Sequence, residues 1–195
     1  MTERMKQQLD FIIEIDKMKS IYRQTMVTDC SRAETDAEHS WHFAMGALLL
    51  YEYAAEDGVD LHRVIQMALS HDLVEIYAGD TFAYDTQGYT DKPEREQDAA
   101  DKLFAILPPD QGAFFRALWE EFERMDTPTA RYAAAIDRLM PLISNHVTKG
   151  YTWMKHGVTQ AQIYKRMRPL ESALPELWEY VEQVVREARE NQFVR

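Results

Sequence analysis

Apolar residues recur three and four positions apart along almost the whole chain, the repeat of helices with one buried face. Sustained period-two runs and Asn-Gly or Asp-Gly hairpin turns are missing, so the pattern predicts an all-α chain. Thr35-Asp36-Ala37-Glu38 has the form in which a threonine oxygen and a glutamate satisfy free backbone N–H groups at a helix start; it predicts a helix to about Glu56. The body of that helix, WHFAMGALLLYEYAA, is apolar nearly all round, as expected of a central helix packed on several sides. Asp60 is placed to cap a second helix, Leu61 to Ala78, which Gly79 ends. Residues 79–92 lack helical periodicity, and a connection of that length is expected to be a functional or mobile loop.

Pro93 suits a first helical turn, and its helix runs to Leu107 before Pro108-Pro109 stops it. Asp110 caps the next, through Arg124, and Thr127-Pro128 opens a further helix to about Lys149, kinked at Pro141 and closed by Gly150. Thr159-Gln160-Ala161-Gln162 is a second capping box, starting a short helix that Pro169 stops; Pro175 leads a last amphipathic helix. No repeat, low-complexity tract or linker interrupts this order. The 195 residues are therefore read as a single domain, with a core over about 11–150 and C-terminal helices over 159–191 packed on it.

Charge narrows the function classes. With 33 acidic against 22 basic residues the net charge is −11, which repels polymeric nucleic acid. A small phosphorylated ligand stays open, because a metal ion or a few arginines can reverse the potential inside one pocket. Cys30 is the only cysteine, which excludes an internal disulfide and a Cys-rich zinc site and fits a cytoplasmic protein. The N-terminal MTERMKQQLDF lacks the apolar region of a signal peptide, and the longest apolar stretch, Phe43 to Tyr51, is too short to span a bilayer. A soluble protein with no membrane partner is expected.

The candidate chemistry sits on apolar helices. Ser70-His71-Asp72-Leu73-Val74-Glu75 sets His71 and Glu75 four residues apart and Asp72 and Glu75 three apart, on adjacent parts of one predicted helical face. Two readings of the dipeptide stand level: a hydrogen-bonded core histidine beside a capped aspartate, or a pair whose burial a divalent cation compensates. His39 lies in the first turn of the central helix, and Asp137 in the apolar stretch Ala133 to Met140, where an unpaired carboxylate is costly. Taken singly, local hydrogen bonding of His39 and pairing of Asp137 with Arg138 or another base are the simpler explanations.

Together, His39 in AEHSW, His71-Asp72 in SHDLVE and Asp137 in AIDRL resemble the H…HD…D metal-binding pattern of the HD-domain phosphohydrolases. The resemblance extends over SRAETDAEH (31–39), HDLVEIYAGD (71–80) and LWEEFE (118–123), spans roughly Phe11 to Ser144, and is to the branch of HD-domain-containing protein 2 and the bacterial 5′-deoxynucleotidases. It implies an HD-type helical bundle with one divalent ion held by His39, His71, Asp72 and Asp137 between helices. The implied activity is removal of the 5′-phosphate of (deoxy)nucleoside monophosphates by metal-activated water. Two imidazoles and two carboxylates suit six-coordinate Mn²⁺, Co²⁺, Fe²⁺, Ni²⁺ or Mg²⁺ with positions left open, whereas tetrahedral Zn²⁺ would be filled by them. Branches with two metals carry extra histidines between the HD pair and the last aspartate; none lies between Asp72 and Asp137.

The resemblance further implies Glu75 as the proton-transfer residue, Asp80 as an auxiliary that positions water and substrate, Arg23 as a phosphate contact and Thr81 as a contact to sugar or phosphate. Gln24 departs from the pattern: the deoxynucleotidases have tryptophan there, associated with rejecting a ribose 2′-hydroxyl, so strict deoxy preference is not implied. Relatives commonly form homodimers. Trp153 and His156 are candidate pocket walls for which plain packing is the favoured reading. Competing readings are an HD hydrolase of another phosphate ester or of a nucleoside triphosphate, and a non-catalytic metal- or nucleotide-binding protein. No Gly-rich phosphate loop or Ser-His-Asp order is present.

Overall fold

Thr35 and Glu38 close the capping box that their spacing predicts. Thr35 Oγ1 accepts from the Glu38 N–H at 3.3 Å, and the Glu38 carboxylate accepts from the Thr35 N–H at 2.9 Å. A cap of this kind contributes about 1 kcal/mol, and here it starts α2 (Asp36–Leu49). The computed structural model describes all of residues 1–195. Before α2 come α1 (Glu3–Ile15), a 3₁₀ turn (Asp16–Ser20) and a short antiparallel hairpin, β1 (Tyr22–Met26) with β2 (Ala33–Thr35), paired Tyr22 to Thr35 and Met26 to Ala33.

The hairpin is a small addition to the all-α fold that the pattern predicts. Its connection is a six-residue loop in which Cys30 takes a positive φ of 60° and the Asp29 carboxylate accepts from the Ser31 N–H, so no two-residue turn signature marks it. α2 also ends at Leu49, seven residues short of Glu56, and a 3₁₀ turn (Tyr51–Tyr53) follows. Its His39, Phe43 and Ala47 are fully buried, one helical turn apart. Trp41, Met45 and Leu48 stand exposed, so one face of this apolar helix is left uncovered by the chain itself.

The second predicted helix is two. α3 (Leu61–Ser70), capped by Asp60 as expected, stops just before His71, and α4 (Glu75–Ala78) ends at Gly79, whose φ is +78°. Between them the ladder tightens, with Leu73 N–H donating to the Ser70 carbonyl and Glu75 N–H to that of Asp72. The loop from Gly79 to Asp91 has no regular structure, yet it is strapped rather than loose. Arg95 donates to the carbonyls of Ala78 (2.5 Å) and Gly88 (3.1 Å) and to Thr81 Oγ1 (3.2 Å).

α5 (Lys92–Phe104), α6 (Pro109–Arg124) and α7 (Pro128–Val147) follow the predicted order, with Thr127 capping α7. Asp110 does not cap α6. Pro108 occupies that position, and the Asp110 carboxylate takes two hydrogen bonds from exposed Arg4 instead. α8 (Tyr151–His156) turns a predicted loop into a short helix between Gly150 and Gly157, both at positive φ. α9 (Gln160–Ala173) begins with the predicted capping box but runs through Pro169. That proline removes only the N–H that would meet the carbonyl of Lys165, an exposed residue, while buried Leu170 and Ala173 hold the last turn. A 3₁₀ turn (Pro175–Leu177) leads into α10 (Trp178–Glu190).

The core has two adjoining parts. The larger joins α2, α3, α6, α7, α9 and α10 through residues such as Phe43, Met67, Leu118, Ile136, Met167 and Val184. The smaller packs Phe11, Leu73, Ala100, Leu103 and Trp119. No helix is long and apolar enough to cross a membrane.

Candidate metal centre

Three elements bring the H…HD…D residues together. His39 projects from the first turns of α2, His71 and Asp72 from the break between α3 and α4, and Asp137 from the middle of α7. His39 Nε2 lies 2.9 Å from Asp137 Oδ1 and 3.9 Å from Asp72 Oδ2. His71 Nε2 lies 3.0 Å from Asp72 Oδ2 and 3.7 Å from Asp137 Oδ1. Ligands about 2.1 Å from one ion are about 3.0 Å apart when adjacent in an octahedron and about 4.2 Å apart when opposite. The four contacts fall in that interval, so the side chains already outline a coordination shell.

Unpaired atoms support the fit. His71 Nε2 is buried without a hydrogen bond, while its Nδ1 lies 3.2 Å from the Ala68 carbonyl, a backbone partner of the kind that orients metal-binding imidazoles. His39 Nδ1 is likewise unpaired, with Glu34 Oε2 at 4.0 Å. Burial, and then the nearby Arg23 charge, push His39 down to about 4, so it is neutral at pH 7. Burial opposes charge on His71, but the nearby carboxylates of Asp72 and Asp137 outweigh it and carry His71 up to about 10. In spite of burial, the two imidazoles keep Asp137 well below the usual carboxylate range, and His71 and Arg23 do the same for Asp72. A proton on His71 thus stands where two carboxylates call for a cation. The donor set and its geometry fit one divalent ion.

Beside this cluster lies a second group of carboxylates. Asp36, Glu75 and Asp80 present oxygens within 4.8 Å of one another, and Asp36 Oδ2 and Glu75 Oε2 are buried without partners. Glu75 opens α4 rather than continuing the helix of His71, so the expected single face divides into two neighbouring clusters. Burial first, then the charges of Asp72 and Asp36, raise Glu75 well above the carboxylate range. Burial also lifts Asp80. Asp36, pushed up to about 7 by burial and Asp72, and Glu34, at about 7 through burial, were not singled out by the sequence reading. Both sit next to the cap of α2, where a carboxylate is ordinarily solvated, and helical periodicity gives no sign of their burial.

Arg23 on β1 links the two groups. Its Nη1 donates to Asp72 Oδ2 at 2.7 Å and Asp36 Oδ1 at 3.2 Å, while Nε is buried and unpaired. Arg23, Asp80, Thr81 and Trp153 line the same cavity as His71, Asp72, Glu75 and Asp137. Trp153 is almost fully buried, serving as both packing and wall. His156 sits at the mouth, its ring 4.4 Å from that of Phe82 and its Nε2 3.1 Å from Gln24 Oε1. Asp137 does not pair with Arg138, whose Nη1 donates to the Ala134 carbonyl. Arg166 from α9 is the arginine within ion-pair range of Asp137, at 3.7 Å, and sequence spacing gives no sign of it. Pro141, one turn after Asp137, has no N–H for the Asp137 carbonyl, so α7 lacks a rung beside this carboxylate.

This fold and this cluster define a class. The HD-domain family model matches residues 15–178, and the chain belongs to that family. A crystal structure described as a predicted metal-dependent phosphohydrolase from Magnetospirillum magnetotacticum superposes with a TM-score of 0.93 at 49% identity, covering 98% of this chain and 95% of that one. Among curated proteins, the 5′-deoxynucleotidase HDDC2 of Danio rerio is 27% identical over 143 residues, 73% of this chain and 70% of that protein. The human protein of the same name is 26% identical over 131 residues, 67% of this chain and 62% of that one.

Proposed function

We propose that the protein is a metal-dependent phosphohydrolase that removes the 5′-phosphate of nucleoside and deoxynucleoside monophosphates. The observation that carries this reading is the convergence of His39, His71, Asp72 and Asp137, the last three on a cavity wall, with the unpaired Glu75 Oε2 beside them. A divalent ion held there supplies polarisation of a phosphoryl oxygen and a water of lowered pKa. Glu75 moves a proton between water and leaving alcohol, a role that burial and the neighbouring Asp72 and Asp36 charges favour by raising its pKa. Asp80, next to Glu75 on the cavity wall, orients the water, and Arg23 and Thr81 contact the phosphate or sugar. The names of the Danio and human relatives support a nucleotide substrate.

Gln24 bears on the sugar. Its Oε1 accepts from Lys155 Nζ at 3.1 Å and faces His156, which holds a polar side chain at the mouth of the cavity. Turnover of both ribo- and deoxyribonucleotides is the expected result. The test is a phosphate-release panel of nucleoside mono- and triphosphates and sugar phosphates, with metal-stripped protein refilled by Mn²⁺, Co²⁺, Fe²⁺, Ni²⁺, Mg²⁺ or Zn²⁺. Release from monophosphates with one of the first five and little with Zn²⁺ is predicted. Release only from other esters or triphosphates moves the assignment to another HD hydrolase, and nucleotide binding without release under every metal leaves a binding protein.

A homodimer belongs to the same proposal. Its support is the exposed row Trp41, Met45 and Leu48 along α2, an apolar strip of the kind that pairing covers. Light scattering at micromolar concentration is expected to give twice the chain mass; a single-chain mass contradicts it.

A further inference from the structure

Most basic side chains near the cavity already have carboxylate partners. Arg23 is bonded to Asp72 and Asp36, Lys92 lies 2.6 Å from Glu96, and Arg95 pairs with Asp91. Arg138 and Arg166 are different. Arg138, directly after Asp137 on α7, makes no ion pair within 4 Å; its Nη1 donates to the Ala134 carbonyl, at 2.8 Å. Arg166, on the facing α9, reaches only Asp137 Oδ2, at 3.7 Å, too long for a hydrogen bond. Both are partly buried, and both line the cavity of the metal cluster as well as the outer groove that continues from it past Tyr84, Lys165 and Arg168. Burial, and then the charge of Arg166, work against the charge of Arg138, an arrangement that costs free energy until an anion enters.

The opposite charge problem exists on the substrate side. A phosphate monoester approaching this centre meets the carboxyl groups of Asp72, Asp137, Glu75 and Asp80, and a divalent ion held by Asp72 and Asp137 has its charge matched by those two carboxylates. Guanidinium groups solve this best, because their planar donors match two phosphoryl oxygens at once. We propose that Arg138 and Arg166 form a phosphate clamp: they hold the non-bridging oxygens of the substrate's phosphoryl group beside Asp137, and release inorganic phosphate from the same place. This rests on the phosphohydrolase reading for the substrate but not for the binding of inorganic phosphate itself.

The experiment uses the full-length, metal-loaded protein and the variants Arg138→Gln, Arg166→Gln, Arg138→Lys and Arg166→Lys. For each, metal content, Tm, calorimetric binding of inorganic phosphate and steady-state hydrolysis of a nucleoside monophosphate are measured. Each glutamine variant is expected to weaken phosphate binding and raise KM together by about tenfold or more, with metal content and Tm near the parent values. The lysine variants are expected to recover part of the binding. Phosphate binding and KM within twofold of the parent in both glutamine variants overturn the clamp. So does a loss that follows metal content or Tm and is equal in the lysine variants, which marks a structural role. A parent protein that binds phosphate through these arginines yet hydrolyses no ester retains the clamp and refutes the catalytic reading; an active parent with unaffected variants does the reverse.

Discussion

Glu75→Gln is expected to lower turnover by about 10²- to 10⁴-fold, the range for loss of a positioned proton-transfer group, while metal content stays at the parent level. Glu75 lies in the Asp36–Asp80 group and not among the four side chains that outline the coordination shell. Glutamine keeps the shape and the capacity to hydrogen-bond but cannot exchange a proton at neutral pH. The substitution also carries a stability signature with a defined sign. A carboxyl raised by burial and by Asp72 and Asp36 contributes its stability in full below its unfolded pKa, and that contribution is lost as pH rises toward the folded value. Metal-free parent protein should therefore lose more Tm than Glu75→Gln between about pH 5 and 8. Phosphate release in a single turnover, with metal measured on the same sample, checks the assignment; parent-like turnover removes Glu75 from the chemistry.

Asp137→Ala is expected to abolish activity by abolishing metal binding, a loss exceeding the about 10- to 100-fold typical of an outer partner of a metal ligand. Asp137 bonds His39 Nε2 at 2.9 Å and stands 3.7 Å from His71 Nε2, so its removal leaves both imidazoles without their shared carboxylate. Chelation of the parent protein should have the same effect and be reversed by adding the ion back. The binding reaction has a pH dependence that follows from His71. At about 10 in the metal-free cluster, this imidazole holds a proton at pH 7 that an incoming cation must expel, whereas His39, at about 4, is already neutral. Loading at pH 7 to 8 should release about one proton per ion, and affinity should rise with pH toward the His71 value. Calorimetric titration in two buffers of different ionisation heat measures that proton. No proton release, or metal binding by Asp137→Ala as tight as the parent's, contradicts the ligand set.

The helix starts were the most legible part of the sequence, because a cap is a local device. Thr35, Asp60, Thr127 and Thr159 each sit where their side-chain oxygen meets a free N–H two or three residues on. Interruptions were less legible, since tertiary context decides them. The ladder breaks at His71 in a stretch whose apolar spacing continues unbroken into Ile76, and α9 continues through Pro169 because buried Leu170 and Ala173 hold it. In the site, the residues that stood out were those polar groups that the apolar pattern exposed as costly: His39, His71 and Asp137. Asp36, Glu34 and Arg166 gave no such signal, as each occurs beside a helix end or among charged neighbours where solvation is the ordinary expectation, and Arg138, though in an apolar stretch, follows Asp137, a ready partner in the sequence.

The central claim is that four side chains from α2, the α3–α4 break and α7 hold one divalent cation. Anomalous diffraction from crystals grown with Mn²⁺ locates such an ion directly. One strong peak within about 2.0–2.3 Å of His39, His71, Asp72 and Asp137 ligand atoms is the predicted result; crystals saturated with Mn²⁺ that place no ion among these four side chains would contradict it.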